Sequence, residues 1–349
     1  MKKLLNLLAV LLLMVPSVMC GQGKKLVPYS VAFYNLENLF DTINNNSQYD
    51  LEYSPQGTKK WNSDKYWKKI NNMAYAISQL AKETCPLGPA FIGVSEVENR
   101  TVLEDLVKNP NLASRNLGIV HYDSPDARGV DVALLYNPAF FTVTSSKPYL
   151  FRLADNPKFR SRDQLLVSGL LDGERVNVIV NHWPSRRGGE QASRYLRVAA
   201  ATLTKHITDS IMAADPDAKI FIMGDLNDDP TNASVSKVLN AKRKKNDVGE
   251  FGIFNPMAEL FAKGIGSLAY NGGWNLFDQI MLSGNLLGND HSTLKYWKVE
   301  IFNADFLTEQ TGRYKGYPLR THSGDVFLNG YSDHFPVVVY LVKYYNNGE

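Results

Sequence analysis

The sequence is poor in cysteine, in net charge and in long apolar stretches. Its 349 residues carry 38 Lys and Arg against 35 Asp and Glu, a formal net charge of +3. This near balance excludes a basic field over the whole surface, so any attraction to an anionic polymer must be local. The hydrophobic share of 44% and the charged share of 21% exclude a disordered chain. No internal repeat or low-complexity linker divides the sequence.

The one long apolar stretch lies at the N terminus. Lys2 and Lys3 precede an apolar run over residues 4–15, which is shorter than the about 20 residues that a membrane-spanning helix needs. A basic start, a short apolar segment and a polar end indicate a secretory signal peptide over residues 1–21. A buried N-terminal helix is the alternative, although this segment has no polar face. We therefore expect an exported protein, periplasmic or secreted.

Cys20, at the end of this segment, leaves two forms of the exported protein open. It could carry a lipid anchor, although the bulky Met19 stands where lipid-attachment sites usually have a small residue. Otherwise cleavage next to Cys20 releases a soluble protein. In both cases Cys85 has no cysteine partner, so we expect a mature fold without a disulfide. The remaining residues 22–349 are long enough to rely on their core and are predicted to form one domain.

The hydrophobic patterns predict a mixture of strands and helices without strict alternation. Strands are predicted at 29–34, 91–95, 131–136, 164–171, 176–181, 219–223, 276–282 and 336–342, and helices at 62–83, 99–108 and 190–213. Residues 240–273 and 284–330 are rich in Gly and Asn with weak periodicity, which predicts long loops. Several strands are apolar on successive residues, which indicates burial on both faces. The fold class is therefore α/β, with two packed mixed sheets flanked by helices.

Polar residues follow the predicted strands where these end. The set comprises Asn35, Glu96, His182, Asp225, Asn227, Asp278, Asp333 and His334. Each of them alone has an ordinary explanation, such as a turn residue, an acid at a helix start or a packed histidine. Because strand ends bring distant residues together at one rim of a sheet, the shared pattern predicts a single site.

Three carboxylates of this set, those of Glu96, Asp225 and Asp333, suit a hard cation. Without a cysteine cluster the candidates are Mg²⁺, Mn²⁺ and Ca²⁺ rather than structural zinc, and we expect Mg²⁺. Two histidines beside such a cation suit metal-assisted hydrolysis. One group activates water, another assists the leaving oxygen, and the cation offsets developing charge.

Six segments of the sequence resemble one known family, in the family's order. They are FYNLENLFD (33–41), IGVSEVEN (92–99), NHWPSRRGG (181–189), MGDLNDDP (223–230), FDQI (277–280) and SDHFPV (332–337). Together they resemble the endonuclease/exonuclease/phosphatase superfamily, which has the fold of deoxyribonuclease I, and in particular its exported bacterial type. The resemblance spans residues 29–342, and its Gly-Asp-x-Asn and Ser-Asp-His segments are specific when they occur together.

The resemblance implies a divalent-metal site. Asn35 and Glu96 match the amide and glutamate of the family at the metal, with Glu96 as the principal ligand. Asp333 would be a ligand of the metal or of a water molecule. Glu37 falls where some members keep a supporting acidic residue.

The resemblance also implies the residues of the reaction itself. His182 matches the histidine that hydrogen-bonds the scissile phosphate or protonates the leaving group. Asp225 would orient or deprotonate the attacking water, and Asn227 would hold a phosphate oxygen. Asp278 would pair with His334 and raise the pKa of its imidazole. His334 would then act as the base or stabilise the phosphate.

Basic side chains near these motifs are candidates for substrate binding. Arg162 matches a phosphate-contacting arginine of the family. Arg186 and Arg187 lie in a Gly-flanked loop after His182 and could grip flanking phosphates, or they could be solvated surface charges. The basic run 242–245 is a solvated loop or a contact to the DNA backbone.

The leading functional hypothesis is an exported, metal-dependent phosphodiesterase that hydrolyses DNA, and we expect an endonuclease. A phosphatase or phosphodiesterase for nucleotides, inositol phosphates or phospholipid head groups is the alternative, since one fold hosts several substrates. A secreted binding protein without activity is the third, although the complete set of polar residues argues against it. We expect a monomer with no stable protein partner and with DNA as its substrate.

Overall fold

Two β-sheets with helices outside them form the part of the protein that this computed structural model describes, residues 25–44, 51–270 and 272–345. The strands of this part are β1 (Leu26–Leu39), β2 (Phe91–Val97), β3 (Gly118–His121), β4 (Asp131–Tyr136), β5 (Phe141–Tyr149), β6 (Gln164–Leu171), β7 (Glu174–His182), β8 (Lys219–Asp225), β9 (Ile253–Phe254), β10 (Leu268–Tyr270), β11 (Gly273–Asn275), β12 (Asp278–Ser283), β13 (Lys295–Ile301), β14 (His322–Ser323), β15 (Val326–Phe327) and β16 (Val337–Tyr344). Its α-helices are α1 (Ser63–Gln79), α2 (Arg100–Lys108), α3 (Glu190–Ala214) and α4 (Met257–Ala262). Short 3₁₀ turns lie at Ala113–Arg115, Lys245–Asp247, Gly284–Leu286 and Asp305–Leu307, and a π-helical turn at Ser234–Val238. The predicted signal peptide and Cys20 lie outside the described residues.

The two large sheets have the same plan. The first has the strand order β13-β16-β1-β2-β4-β3, and the second has the order β5-β6-β7-β8-β12-β9. Among the described strands, β1–β2 and β7–β8 are the parallel pairs, and the other neighbours in these sheets run antiparallel. A parallel pair needs a long crossover, which α1 supplies in the first sheet and α3 in the second. Each sheet therefore has a parallel centre whose two strands end at the same rim.

The sheets pack face to face over a continuous apolar core. Every residue of β2 is buried, as expected for a strand covered on both faces. The rings of Phe91 and Phe221 meet edge to face across the two sheets with centroids 5.4 Å apart. Gly93 allows this approach, because a Cβ there would lie 2.6 Å from the sulfur of Met223. The predicted pair of packed mixed sheets flanked by helices is confirmed.

Helix α1 covers the outer face of the first sheet. The Asn62 side chain caps it by accepting from the backbone N–H of Lys65 at 3.1 Å, and Ile70, Met73 and Ile77 are buried. It ends at Gln79, four residues before the predicted end at 83. The chain then turns through Ala81 with φ +56°, a conformation that cannot continue a right-handed helix.

Helix α3 covers the outer face of the second sheet with a buried stripe that is partly polar. Its buried residues include Ile207, Arg197 and Thr204. The Thr204 hydroxyl is 3.1 Å from Asn181 Oδ1 and 2.9 Å from Gln164 Oε1. Buried polar side chains with hydrogen-bond partners thus form part of the contact between this helix and the sheet.

The two segments predicted as long loops contain regular structure. Residues 240–273 include β9, α4 and β10, and residues 284–330 include β13 and the hairpin β14–β15. Strands β3 and β5 were also missed. β13 (KYWKVEI) lies at an edge of the first sheet, where lysines and partial exposure weaken the apolar alternation that identifies a strand. Across the described residues no helix is long and apolar enough to cross a membrane.

Candidate active site

The parallel strand pairs deliver four of the predicted residues to one rim. Asn35 and Glu96 lie near the ends of β1 and β2, and His182 and Asp225 are the last residues of β7 and β8. His182 and Asp225 are direct partners in the β7–β8 register. Neighbouring residues of a register project on the same face of a sheet, so these two side chains stand side by side.

Two antiparallel strands begin where the parallel strands end. Asp278, the first residue of β12, is paired with Asp225 in the register. His334 stands shortly before β16, which runs antiparallel to β1 and therefore starts at the same rim. His334 Nδ1 lies 2.7 Å from Asp278 Oδ2. The rim thus receives residues from β1, β2 and the start of β16 on one sheet, and from β7, β8 and β12 on the other.

Unusual backbone conformations aim the side chains at the rim. The β1–β2 and β2–β4 registers shift next to Glu96, whose φ is +60°. Such bulges redirect a side chain, and positive φ values at non-glycine residues concentrate at functional sites. Asn227 has φ +49°, and Gly224 has φ +157°. A Cβ at Gly224 would lie 2.2 Å from the carbonyl oxygen of Asn181, so glycine is required there for β7 and β8 to stay paired.

Contacts between the two sheets connect the polar side chains into one network. Asn35 Nδ2 donates to Asp225 Oδ2 at 3.0 Å. His182 Nε2 lies 3.6 Å from Asp225 Oδ2 and 3.8 Å from Glu96 Oε1. His334 Nε2 lies 3.9 Å from Asp225 Oδ2. All five side chains are buried, and Asp225 is at the centre of the network.

The two histidines have opposite electrostatic surroundings. Burial alone would lower the pKa of His334, but Asp278 and Asp225 outweigh it and raise that pKa well above its usual value. Burial, together with the guanidinium of Arg162, holds the pKa of His182 well below its usual value. The surroundings thus favour the charged form of His334 and the neutral form of His182.

The pKa values of the carboxylates of Asp225 and Glu96 are also shifted in opposite directions. Burial and the neighbouring Asp278 raise the pKa of Asp225 to about 6, against the effect of His334. Burial alone would raise the pKa of Glu96, but Arg128 and His182 outweigh it and hold that pKa well below its usual range. Asp278 is fully buried and also accepts the hydroxyl of Ser267 at 2.5 Å.

Arg128 is a site residue that the sequence did not reveal. Its Nη1 lies 3.0 Å from Glu96 Oε1, and its Nη2 donates to Asn38 Oδ1. It lies in an irregular segment between β3 and β4 without periodicity or a motif, so no local pattern marks it. A guanidinium in this position compensates the buried charge of Glu96.

The donor set fits a hard divalent cation. The carboxylates of Glu96 and Asp225 lie on either side of His182 Nε2 at the rim. One ligand atom each of Asp225, Asp278 and His334 lies within 4.8 Å of the others. Oxygen-rich sites of this kind suit Mg²⁺, Mn²⁺ or Ca²⁺. Among the described residues, Asp278 Oδ1 is buried and without a hydrogen-bond partner. Glu96 and Asn35 are the residues that would hold the cation, with the Asp225 carboxylate beside them.

Asp333 has a different environment from the other predicted metal ligands. Its Oδ2 accepts from Arg320 Nη2 at 2.7 Å, and its Oδ1 lies 3.9 Å from His334 Nε2. Arg320 Nε is also 3.6 Å from Glu37 Oε1. Asp333 therefore lies on the outer side of His334, within reach of the site but engaged with Arg320.

Glu37 belongs to a buried cluster behind Asp333. Its Oε2 accepts from the Thr321 backbone N–H at 2.6 Å. Lys69, on α1, donates to the hydroxyl of Thr321 and to the carbonyl of Tyr331. Burial and the charge of Asp333 raise the pKa of Glu37 to about 7, and burial lowers the pKa of Lys69 to about 8. The cluster ties α1 to the segment that leads to His334, and Lys69 was not predicted.

The arginines predicted to bind substrate have different positions. Arg162 donates to the carbonyls of His182 and Trp183 at 3.1 and 2.6 Å and pairs with Asp126. Arg186 donates to the carbonyl of Asn227 at 2.9 Å. Both therefore hold the chain that carries site residues. Arg187 is exposed in the loop that follows His182.

The basic run 242–245 does not reach the rim. Lys242 bridges to Phe254 of β9, and Phe254 pairs with Leu282 near the far end of β12. Leu282 is four residues along the strand from Asp278, about 14 Å at the usual rise. Arg243 pairs with Glu259 on the surface. This placement agrees with the alternative of a solvated loop.

Asn227 lies directly beyond Asp225 at the rim. Its backbone N–H bonds to Asp225 Oδ1 at 2.9 Å, and its Nδ2 donates to the Trp183 carbonyl at 3.0 Å. Arg186, which bonds to the Asn227 carbonyl, supports the same turn, and its guanidinium carbon lies 4.4 Å from the ring centroid of Phe277. The turn is therefore fixed by contacts to both β7 and β12.

Comparison with known proteins gives the same fold. D. rerio TDP2 complexed with single strand DNA product has a TM-score of 0.54 at 14% identity, covering 90% of this chain and 98% of that chain. An endonuclease/exonuclease/phosphatase family protein from Bacteroides thetaiotaomicron has a TM-score of 0.53 at 15% identity, covering 93% and 100%. The human Nocturnin catalytic domain with bound sulfate anion has a TM-score of 0.50 at 14% identity, covering 91% and 97%.

These identities establish the shared fold alone. No curated protein sequence matches this chain. The sequence profile described as the Endonuclease/Exonuclease/phosphatase family matches residues 30–343, which include every predicted site residue. The chain therefore belongs to the endonuclease/exonuclease/phosphatase family.

Proposed function

We propose that the protein is a divalent-metal-dependent phosphodiesterase that hydrolyses DNA. Family membership supports the hydrolysis of phosphoric esters. The observation that carries the proposal is the buried network in which Asp225 contacts His182 in its own sheet and Asn35 and His334 of the other sheet. The TDP2 structure with a single strand DNA product, which shares the fold, supports a nucleic acid as the substrate.

The charge states of the site suit attack on an anionic diester. With a pKa of about 6, Asp225 is largely ionised at neutral pH and has the basicity of a general base for water. His334, held as a cation by Asp278, would offset charge on the non-bridging oxygens. A pair of titratable groups whose pKa values are pushed apart is the usual arrangement for acid–base chemistry.

The remaining groups position the phosphate. His182 is neutral and its Nε2 faces both Asp225 and Glu96, so it can hydrogen-bond the phosphate or the leaving oxygen. Asn227, fixed against Asp225 and Trp183, would hold a phosphate oxygen. A cation bound by Glu96 and Asn35 would supply positive charge for the same oxygens.

A substrate panel tests the proposal. Purified protein is incubated with plasmid DNA, RNA, inositol phosphates and a sphingolipid, with Mg²⁺ or with EDTA. We expect DNA cleavage that is lost in EDTA and reduced about 10²–10⁴-fold in His182→Ala. His206→Ala, an exposed histidine on α3, is the matched control and should retain full activity. Intact plasmid together with hydrolysis of inositol phosphates would overturn the DNA assignment.

We also propose that the protein is exported and monomeric. The basic and apolar pattern of residues 1–21 supports export. Mass spectrometry of the protein from fractionated cells gives the mature N terminus, and a lipid on Cys20 would appear as added mass. A chain that keeps residues 1–21 would contradict export. A molar mass of twice the monomer value, measured by light scattering, would contradict the monomeric state.

A further inference from the structure

A pocket of about 480 Å³ opens directly beside the candidate active site. Asp333, the residue before His334, forms part of its wall together with Arg320. The opposite wall carries Arg313, Tyr314 and Tyr317. The volume is within the usual range for small-molecule sites. Because it adjoins the catalytic network, its occupant would be the part of the substrate next to the scissile phosphate.

The wall with Arg313 is an ordered hairpin, although the sequence predicted an unstructured loop there. Thr308 and Pro318 form an antiparallel bridge, and the Glu309 backbone N–H bonds to the Tyr317 carbonyl at 2.8 Å. The Gly316 N–H returns to the Glu309 carbonyl at 2.8 Å. These bonds fix the base of the hairpin and present its tip at the mouth of the pocket.

A row of aromatic rings leads from the tip of this hairpin to the catalytic network. The ring centroids of Tyr314 and Tyr317 are 5.8 Å apart, and those of Tyr317 and Trp274 are 5.3 Å apart. Trp274 lies nearly parallel to Phe335, at 6.1 Å and 21°. Phe335 follows His334 directly. Tyr314 is 55% exposed and Trp274 is 37% exposed, so the row presents ring surface to solvent.

The charged side chains that line the pocket are those of Glu309, Arg313, Arg320 and Asp333, and Arg313 is the cation that no described carboxylate pairs with. Arg320 is engaged by Asp333 at 2.7 Å and by Glu37 at 3.6 Å. Arg313 forms no ion pair with any residue that the structure describes, and its guanidinium lies 5.7 Å from the ring of Tyr314. An exposed guanidinium next to exposed rings matches a phosphate joined to a nucleobase, by ion pairing and by stacking.

We infer that this pocket binds the nucleotide next to the scissile phosphate, with its base against Tyr314 and Tyr317 and its outer phosphate on Arg313. The inference rests on the proposed hydrolysis of DNA and specifies single-stranded DNA as the substrate class. A base can stack on these rings only after leaving its own stack, which costs least in a single strand. The protein therefore prefers single-stranded DNA or frayed ends to the interior of a duplex.

Steady-state kinetics with two substrates tests the pocket separately from the chemistry. One substrate is a single-stranded oligonucleotide, and the other is methyl 4-nitrophenyl phosphate, a diester without a base or a second phosphate. For Tyr314→Ala and Arg313→Ala we expect KM for the oligonucleotide to rise about tenfold, since one stacked base accounts for about that factor. Turnover of the small diester should stay unchanged, because neither side chain belongs to the catalytic network.

Matched variants and a modified substrate complete the design. Tyr345→Ala and Arg175→Ala remove exposed side chains beyond the far end of β16 and at the far end of β7, and both should behave as wild type. Abasic substitution next to the cleaved bond should raise KM for the wild type but not further for Tyr314→Ala. If the wild type cleaves neither substrate, the proposed function fails. If it cleaves both and the two pocket variants match the controls, or if duplex and single strand are cleaved equally, the pocket assignment fails alone.

Discussion

The imidazole of His334 and the carboxylate of Asp278 meet across the two sheets, with Nδ1 2.7 Å from Oδ2. His334 stands at the start of β16 in the first sheet, and Asp278 begins β12 in the second. The contact fixes the orientation of the ring and leaves Nε2 facing Asp225 and Asp333. The charge of His334 therefore depends on the docking of one sheet against the other.

Asp278→Asn should lower both the pKa of His334 and the activity. The imidazolium is stabilised mainly by this carboxylate, and loss of an acid–base partner typically costs about 10²–10⁴ in rate. In the wild type, the protonated fraction of His334 falls only as the pH rises through its raised pKa. In the variant this fall should begin at lower pH, as measured by NMR titration of the ring and by the pH profile of kcat/KM.

Asp209→Asn, on the exposed face of α3, is the control for this experiment. It should leave both the titration of His334 and the pH profile unchanged. An Asp278→Asn variant with the wild-type titration of His334 would show that another group sets its charge.

Glu96→Gln should weaken metal binding. The substitution removes a buried negative charge from the oxygen-rich cluster while keeping the shape of the side chain, and Mg²⁺ and Mn²⁺ prefer charged oxygen ligands. We expect affinity for Mn²⁺, measured by calorimetry without substrate, to fall by about tenfold or more. Glu104→Gln, a partly exposed glutamate on α2 that is remote from the site, is the control. Wild-type affinity in Glu96→Gln would remove Glu96 from the ligand set.

Gly224→Ala should destabilise the protein and lower activity together. The residue has φ +157°, and a Cβ would lie 2.2 Å from the Asn181 carbonyl oxygen, which is main chain and cannot rotate away. Strain of this kind costs about 1–3 kcal/mol or more. Because Asp225 is the next residue, relief of the clash should also displace the centre of the network.

Gly173→Ala separates conformational strain from the clash. Gly173 has φ +78°, but nothing lies within 4 Å of a Cβ there, so only the backbone cost of about 1 kcal/mol applies. Urea unfolding of the two variants, with DNA cleavage as the second measurement, gives the comparison. Equal destabilisation would contradict the argument from close approach.

His322 should make the fold sensitive to acid. Burial, together with Lys59, Lys69 and Lys65, lowers the pKa of His322 to about 4, while an unfolded histidine has a pKa near about 6.5. The folded state thus favours the neutral ring. This stabilisation is complete above about pH 6.5 and is lost as the pH falls through the folded pKa of about 4.

The ring of His322 packs against Tyr53, Trp61 and Phe327, so His322→Phe keeps the aromatic contacts and removes the titration. The free energy of unfolding, measured in urea at pH 7.5 and at pH 4.5, should fall less in this variant than in the wild type. An equal fall in both proteins would assign the acid sensitivity to other groups.

Strand patterns in the sequence were sufficient to predict the fold class and to bring the ends of β1, β2, β7, β8 and β12 to one site. β1, β2, β7 and β8 are apolar runs with a polar site residue at or near their end, and Asp278 opens β12. Such runs can be recognised from their own residues alone. The carboxylate and histidine set was visible for the same reason.

Residues whose role depends on distant partners could not be predicted. Arg128 and Lys69 carry no local pattern, and their importance comes from Glu96 and Thr321, which are remote in sequence. Arg162 and Arg186 have the right charge for phosphate, but nearby carbonyls and carboxylates take up their donors. The sequence gives the charge of a side chain, whereas only the fold determines which partner satisfies it.

The division of the catalytic rim between two sheets has a consequence for inactivation. Asn35, Glu96 and His334 belong to one sheet, and their partners Asp225, His182 and Asp278 belong to the other. A small slip between the layers would separate all three pairs while each sheet kept its own hydrogen bonds. Activity therefore depends on the alignment of the two sheets. A weaker Phe91–Phe221 contact should abolish activity under conditions in which the strands are still folded.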